Sequence, residues 1–323
     1  MGGFRILLRN YPCMKKLVKL ITLLWCSAMS LTGSSQPMPI ASGYLSAHQL
    51  INPAYAGMNE SAGFLVAIRQ EYAGFASAPQ SQTVVMHTPV FNEFIGLGLQ
   101  LSQEWYGMEN RTSFMADYAY EIMLGYGGRL RLGMKTGIAN YHNALSRLQL
   151  FPTAIADPVF NGNQTARYLF NMGVGAFYYE KNIYVGISVP KVIKTLFEEN
   201  PENYTLQYGV QHIYLSGGFC RELPTGVTLK PAIMLWGPLG EKPRMDISLS
   251  FLLFEQLWLG GLLRYPSMAS FFGRWHFNDR MQIGYAIELG LGAFQLHQLG
   301  THEITFGYSF DFYGRGHSGM RFF

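Results

Sequence analysis

The side chains able to do chemistry are numerous, and few of them are spaced for it. Eight histidines are spread over 323 residues. His297 and His302 lie five apart and bracket a loop, and no H-E-x-x-H or C-x-x-C ligand set occurs, so no metal site is expected. Neither G-x-S-x-G nor a glycine-rich phosphate loop is present, so no catalytic or cofactor-binding residue is assigned, no cofactor is implied and the chain does not read as an enzyme. The arrangement closest to catalysis is a Ser/His pair such as His142 with Ser146, and loop serines near histidines are common. Of the three cysteines, Cys13 and Cys26 fall in an N-terminal segment that reads as an export signal, leaving Cys220 with no intramolecular partner. The more informative ionisable groups are Asp117, Glu121, Arg129, Arg131, Lys135, Arg167, Asp246 and Glu288. They suit a mutually satisfied interior network or, alternatively, a selectivity ring.

These charges are positioned by segments of period two. In Ile95–Ser102, Ile95, Leu97, Leu99 and Leu101 alternate with Gly96, Gly98, Gln100 and Ser102, which makes a strand with one apolar face. Leu130, Leu132, Met134 and Ile138 oppose Arg129, Arg131, Gly133, Lys135 and Gly137, and three bases on one face cannot belong to a soluble core. Near the C-terminus Ile304, Phe306, Tyr308, Phe310 and Phe312 alternate with Glu303, Thr305, Gly307, Ser309 and Asp311. Read along the chain, the pattern predicts strands at 62–69, 80–88, 92–103, 111–122, 128–140, 166–179, 182–189, 205–220, 225–236, 244–253, 256–264, 268–277, 279–288 and 302–312.

The connections discriminate more sharply than the strands. Those after even-numbered strands are short: Pro89–Phe91, Met123–Gly127, Glu180–Lys181, Arg221–Pro224, Phe254–Glu255 and Asn278. Most after odd-numbered strands are longer, as in Tyr141–Thr165, Pro190–Tyr204 and Gly290–Thr301, with Tyr265–Ser267 the exception. A short loop helix is expected over Pro190–Asn200. Tight periplasmic turns alternating with long outer loops characterise an outer-membrane barrel. A secreted sandwich or propeller would need a second sheet over each apolar face, and no repeat of 40–50 residues is visible. The fold class is therefore all-β, a single transmembrane antiparallel barrel of about fourteen strands in contact with outer-membrane lipid, occupying residues 62–323.

Composition agrees. The chain is 49% apolar and 15% aromatic, with 36 glycines, and only 14% charged against a usual quarter, which excludes a disordered protein. Five of the 24 basic residues (Arg5, Arg9, Lys15, Lys16, Lys19) and none of the 20 acidic ones fall in residues 1–35, so the remainder carries one negative charge and nucleic acid is not a partner. Within residues 1–35, Met14-Lys15-Lys16 leads into an uncharged stretch from Leu20 to Leu31 and then Thr32-Gly33-Ser34-Ser35-Gln36. That is a cleaved signal peptide, for which a start at Met14 would suffice. Its apolar run is shorter than the roughly 20 residues of a membrane helix.

Residues 36–61 precede the first strand as a separate N-terminal segment, and within them Tyr44–Gly57 is neither charged nor periodic. Asn52-Pro53 and Ala56-Gly57 are turn formers. A folded piece at the periplasmic mouth, such as a plug, and an ordered cap on the first strand both fit Asn52, Pro53, Ala54, Tyr55, Ala56 and Gly57. In the connection Tyr141–Thr165, Leu148, Leu150, Phe151, Ile155, Val159 and Phe160 place apolar groups in a water-facing loop. They either dock an exported client or fold inward.

Asn52-Pro53-Ala54-Tyr55-Ala56-Gly57, Arg69-Gln70-Glu71-Tyr72 with Gly74-Phe75, Ala78-Pro79-Gln80-Ser81-Gln82-Thr83, His87-Thr88-Pro89 and the late Gly300-Thr301-His302-Glu303-Ile304 carry a resemblance to the PorP/SprF family of Bacteroidota outer-membrane proteins. Glu71 stands where glutamine or a similar polar residue is expected, and the tail Phe312–Phe323 is longer than a bare strand end. The resemblance implies a barrel of the cell outer membrane attached to the type IX secretion system and, in some members, to gliding motility. Its partners would be secretion components and an exported surface protein. Such members help export particular large adhesins or hold them at the cell surface. A passive or substrate-selective channel is the alternative.

Overall fold

In the computed structural model the described residues are 42–310, apart from 59–60, 76, 91–93, 144–163, 194, 200–203, 209–210 and 292–298. Alternation of apolar and polar residues produces fourteen barrel strands. They are β1 (Ala62–Gln70), β2 (Gln80–Val90), β3 (Ile95–Tyr106), β4 (Glu109–Met123), β5 (Arg129–Asn143), β6 (Gln164–Glu180), β7 (Ile183–Val189), β8 (His212–Phe219), β9 (Thr228–Pro238), β10 (Arg244–Leu253), β11 (Leu257–Tyr265), β12 (Met268–His276), β13 (Met281–Gly290) and β14 (Thr301–Phe310). Each pairs antiparallel with its neighbour in sequence, and β1 closes on β14 from Ala62 opposite Phe310 to Gln70 opposite His302. Closure leaves no strand edge, so the ladder satisfies the wall's backbone groups without help from solvent.

The two faces of the wall follow the sequence parity. Leu97, Leu99 and Leu101 point outward at 41–44% exposure, whereas Gly96, Gly98 and Gln100 are buried inside. On β10, Ile247, Leu249 and Phe251 face out while Asp246, Ser248 and Ser250 face in. On β14, Ile304 and Phe306 oppose Glu303 and Thr305. An apolar exterior around a polar interior is the pattern of a lipid-embedded barrel.

The structure departs from the expected elements in three places. Thr195–Glu199 is a strand, not a helix, and pairs with Tyr204–Tyr208 in a separate hairpin. The expected strand 205–220 is consequently divided, and its barrel portion starts at His212. Period two identifies a strand but not its partner, which is why the run read as one element. Third, β3 and β4 extend to a tight turn at Gly107-Met108, with Gly107 at φ 63° and a cross-strand Glu104–Arg111 ion pair of 3.9 Å in the extension. The long-connection end therefore has two tight turns, this one and Pro266-Ser267.

The folded chain should migrate faster on gels unheated than boiled. Leu99→Arg, which puts a cation on the lipid face, should destabilise the barrel by about 2–4 kcal/mol in urea titrations of protein refolded into vesicles. A variant as stable as the parent would contradict the outward placement of Leu99.

Candidate functional site: a chain segment lodged inside the barrel

Residues 42–58 have no period, and their local chemistry explains the path they take. Three short 3-10 turns, Ser42–Leu45, His48–Leu50 and Pro53–Tyr55, are joined by bends. The Asn52 side chain accepts from the Ala54 N–H at 3.0 Å, and Pro53 at the first turn position has no donor to satisfy. Residues 51–58 are all buried, and they lie against inward-facing side chains of β3, β4, β5 and β6.

So short a set of turns leaves most carbonyls without a partner in the segment itself, and buried carbonyls must find one elsewhere. The barrel wall provides it. Arg131 donates through Nε to Ala54 O at 2.9 Å and through Nη2 to Ala56 O at 2.6 Å. Lys135 reaches Gln49 O at 3.1 Å and Leu50 O at 3.3 Å, and Gln100 also donates to Gln49 O at 2.8 Å. Ser188 donates to Ile51 O at 2.7 Å and Arg274 to Leu45 O at 3.1 Å. The Asn52 amide in turn donates to Ala176 O of β6 at 3.1 Å.

The same cations are anchored by acids. Arg131, 1% exposed, binds Glu121 at 2.8 Å, and Arg129 and the Tyr179 hydroxyl also bind Glu121. Asp117 accepts from Gln49 and Gln100 at 2.8 and 2.7 Å and pairs with Lys135 at 3.6 Å. Arg264 grips Asp246 through two hydrogen bonds of 2.9 and 2.8 Å, Trp236 Nε1 donates to the same carboxylate at 3.0 Å, and the Arg264 guanidinium lies 4.9 Å from the Trp236 ring centroid. At the long-connection end Arg69 binds Glu288 at 2.7 and 2.6 Å and lies within 3.2 Å of Glu71 and 3.6 Å of Glu303. Burial holds the Glu71 carboxyl above its ordinary range despite Arg69.

Glycines let the two backbones approach. A β-carbon at Gly96 would overlap Ala56 O, one at Gly133 the Pro53–Ala54 backbone, and those at Gly98 and Gly175 the side chains of Gln49 and Asn52. These positions sit on the inward faces of β3, β5 and β6, and at Gly96 and Gly133, where the obstacle is backbone, only a residue without a side chain fits. An aromatic stack completes the packing. His48 lies on Tyr55 at 4.8 Å, Tyr55 on Phe177 at 4.2 Å, and Phe177 beside Tyr184 at 5.7 Å. Enclosure by the barrel, reinforced by the Lys230 and Arg274 charges, holds the His48 imidazole well below its ordinary pKa and therefore neutral.

Asn52, Pro53, Ala54, Tyr55, Ala56 and Gly57 are thus brought together inside the wall. Of the eight charges singled out in the sequence, seven take part in the interior network, and the Arg167 side chain lies outside the described residues. Leu148, Leu150, Phe151, Ile155, Val159 and Phe160 also lie outside them, as does Ser146. Sequence reasoning missed Gln49, Gln100, Arg69, Arg264 and Tyr44, whose hydroxyl donates to Asp246 at 3.5 Å, as parts of the network, and it assigned no role to the inward glycines. The available signal was their recurrence on one face of neighbouring strands, which marks close approach of another backbone.

Two substitutions test this packing. Gly133→Val suits a strand but leaves no room for Pro53-Ala54. A thiol introduced by Ala47→Cys in a Cys220→Ser background should be protected from modification, and should react at least about tenfold faster when Gly133→Val is added, with gel mobility of the folded barrel kept. Arg131→Met, which takes from Glu121 its fully buried cation and from two carbonyls their donor, should lower unfolding stability by about 3–5 kcal/mol.

The sequence profile for the type IX secretion system membrane protein PorP/SprF matches residues 33–308. Among solved structures the chain is similar to the Acinetobacter baumannii outer membrane protein Omp33, at 9% identity over 79% of this chain and 100% of that one with a TM-score of 0.45. It is also similar to a Pseudomonas aeruginosa FadL homologue, at 9% identity over 80% and 93% with a TM-score of 0.46. A third is the CymD monoaromatic hydrocarbon channel, at 10% identity over 86% and 95% with a TM-score of 0.48. No curated protein matches the chain. With a closed barrel wall and a profile match over nearly its whole length, the chain belongs to the PorP/SprF family of type IX secretion membrane proteins and is a β-barrel of the outer membrane.

Proposed function

We propose that this barrel is an accessory of type IX secretion that helps export particular large proteins such as adhesins, or holds them at the cell surface. In this reading residues 1–35 are a cleaved signal peptide, the short-turn mouth faces the periplasm, and residues 42–58, with Asn52–Gly57 at their base, are a plug. The observation that carries the reading is the lodged segment itself, six of whose carbonyls are taken up by side chains of the wall. A bore occupied by its own chain works through its mouths and loops, not by free diffusion. Secretion components then meet the periplasmic mouth, and the client meets the outer loops. Leu148, Leu150, Phe151, Ile155, Val159 and Phe160 in the connection 144–163 form the docking surface, since apolar groups in a water-facing loop mark partner sites.

Deleting the gene should abolish surface display of one or a few large adhesins while bulk type IX export continues. Phe151→Ser combined with Phe160→Ser should reproduce that loss at unchanged barrel abundance. Display that survives the deletion would remove the secretion reading, and display that survives only the double substitution would remove the loop. In planar bilayers the purified protein should be nearly silent. A steady porin-like current would replace the docking role with that of a passive or substrate-selective channel.

A further inference from the structure

The described acids of the lumen are matched to bases. Glu71, Glu288 and Glu303 surround Arg69, Glu104 pairs with Arg111, Asp117 with Lys135, Glu121 with Arg129 and Arg131, and Asp246 with Arg264. Two inward cations near the short-turn end are left over, whereas Arg244, its guanidinium 5.2 Å from the Trp236 ring centroid, lies toward the other mouth. Lys230 on β9 and Arg274 on β12 form no ion pair among the described residues, and each lies two residues from the short-turn end of its strand. A cation enclosed by protein without a counter-charge is costly, and a native lumen normally supplies one.

The unused donors lie around His48, whose imidazole feels both cations and stacks on Tyr55 at 4.8 Å. Lys230 Nζ lies 5.8 Å from the centroid of the Tyr184 ring, which belongs to the aromatic stack running through Phe177 and Tyr55 to His48. Arg274 uses Nη2 on Leu45 O at 3.1 Å and Ser46 Oγ at 2.8 Å, while its Nε is buried without a partner. The Tyr55 hydroxyl is likewise buried without a partner. Lys230 and Arg274 nevertheless keep part of their surface accessible within the wall, so the space beside them is open to water-sized species. Neutral His48, acted on by both cations, adds no counter-charge.

We propose that Lys230, Arg274 and the Tyr55 hydroxyl form a binding site for a small free oxyanion, a carboxylate or phosphate, reached from the short-turn mouth. A guanidinium N–H, an ammonium and a phenolic O–H offer three kinds of donor, which suits an anion with several acceptor oxygens. The site includes the lodged segment through Tyr55, and Arg274 also holds Leu45 and Ser46, so an occupied site fastens that segment to β9 and β12.

The test uses the full-length barrel in zwitterionic detergent, with inorganic phosphate or acetate replacing chloride at constant ionic strength. The thermal unfolding midpoint of the parent should rise saturably by a few degrees. Lys230→Gln and Arg274→Gln should abolish the rise, and Arg244→Gln, an equal loss of charge toward the other mouth, should keep it. Line broadening of the phosphate ³¹P resonance by the parent, lost in Lys230→Gln, gives a readout independent of stability. Arg274→Lys keeps the charge without the fork and should weaken the response about tenfold should the glutamine variant fail to fold. No midpoint rise and no broadening in the parent, or equal responses in all variants, would overturn the site. A response to anionic-lipid mixed micelles but to neither free anion would overturn the free-anion assignment.

Discussion

The guanidinium of Arg131 is the contact on which the lumen depends. It faces Glu121 on one side and the carbonyls of Ala54 and Ala56 on the other, all at 2.6–2.9 Å. Neither relation is dispensable for the other. Without Glu121 a fully enclosed cation would lie against backbone dipoles alone, and without the carbonyls the fork would leave buried donors unused. The arrangement therefore fixes where the segment turns at Asn52-Pro53 and how deep its last bend sits against Gly96 and Gly133. Lys135 with Asp117 repeats the scheme farther along the same strand, holding Gln49 and Leu50 instead.

The wall and the segment obey the same requirement in different solvents. In hydrocarbon the strands have no partner but one another, so the wall must close, and β14 meets β1 over their full lengths. Inside, the chain follows an irregular path because side chains replace the ladder. Gln100, Ser188, Arg131, Lys135 and Arg274 each project from a different inward position, and together they do for six carbonyls what a neighbouring strand does in the wall.

The wall was legible in the sequence because period two is local. Leu97, Leu99 and Leu101 against Gly96, Gly98 and Gln100 need no knowledge of any distant residue to be read as two faces. Arg129, Arg131 and Lys135 on one face were sufficient to exclude an apolar core there. Partners were not legible. Nothing in Tyr204–Tyr208 distinguishes a barrel strand from one arm of the hairpin it forms with Thr195–Glu199. The lodged segment fell between the two cases. Asn52-Pro53 and Ala56-Gly57 announced turns, but their destination is set by Gly96, Gly133 and Gly175, whose meaning lies in the missing side chain and appears only when another backbone fills the space.

The bonds that hold the segment differ in kind from those that hold the wall. The apolar clusters among the described residues of the segment are small, Ala54, Tyr55 and Met58 with Phe177, Tyr179 and Tyr184, and Ala47 with Leu65 and Val85. The remainder is hydrogen bonding to charged or amide side chains in a space where Lys230 and Arg274 stay partly accessible. Water or an anion can take over such a bond, since the exchange replaces one polar partner by another. No equivalent exchange exists for a ladder bond facing lipid, where the alternative is an unsatisfied group. Stability is accordingly uneven across the molecule. The ladder of the wall has no substitute partner, whereas each bond from residues 42–58 to the wall can be exchanged for another polar partner.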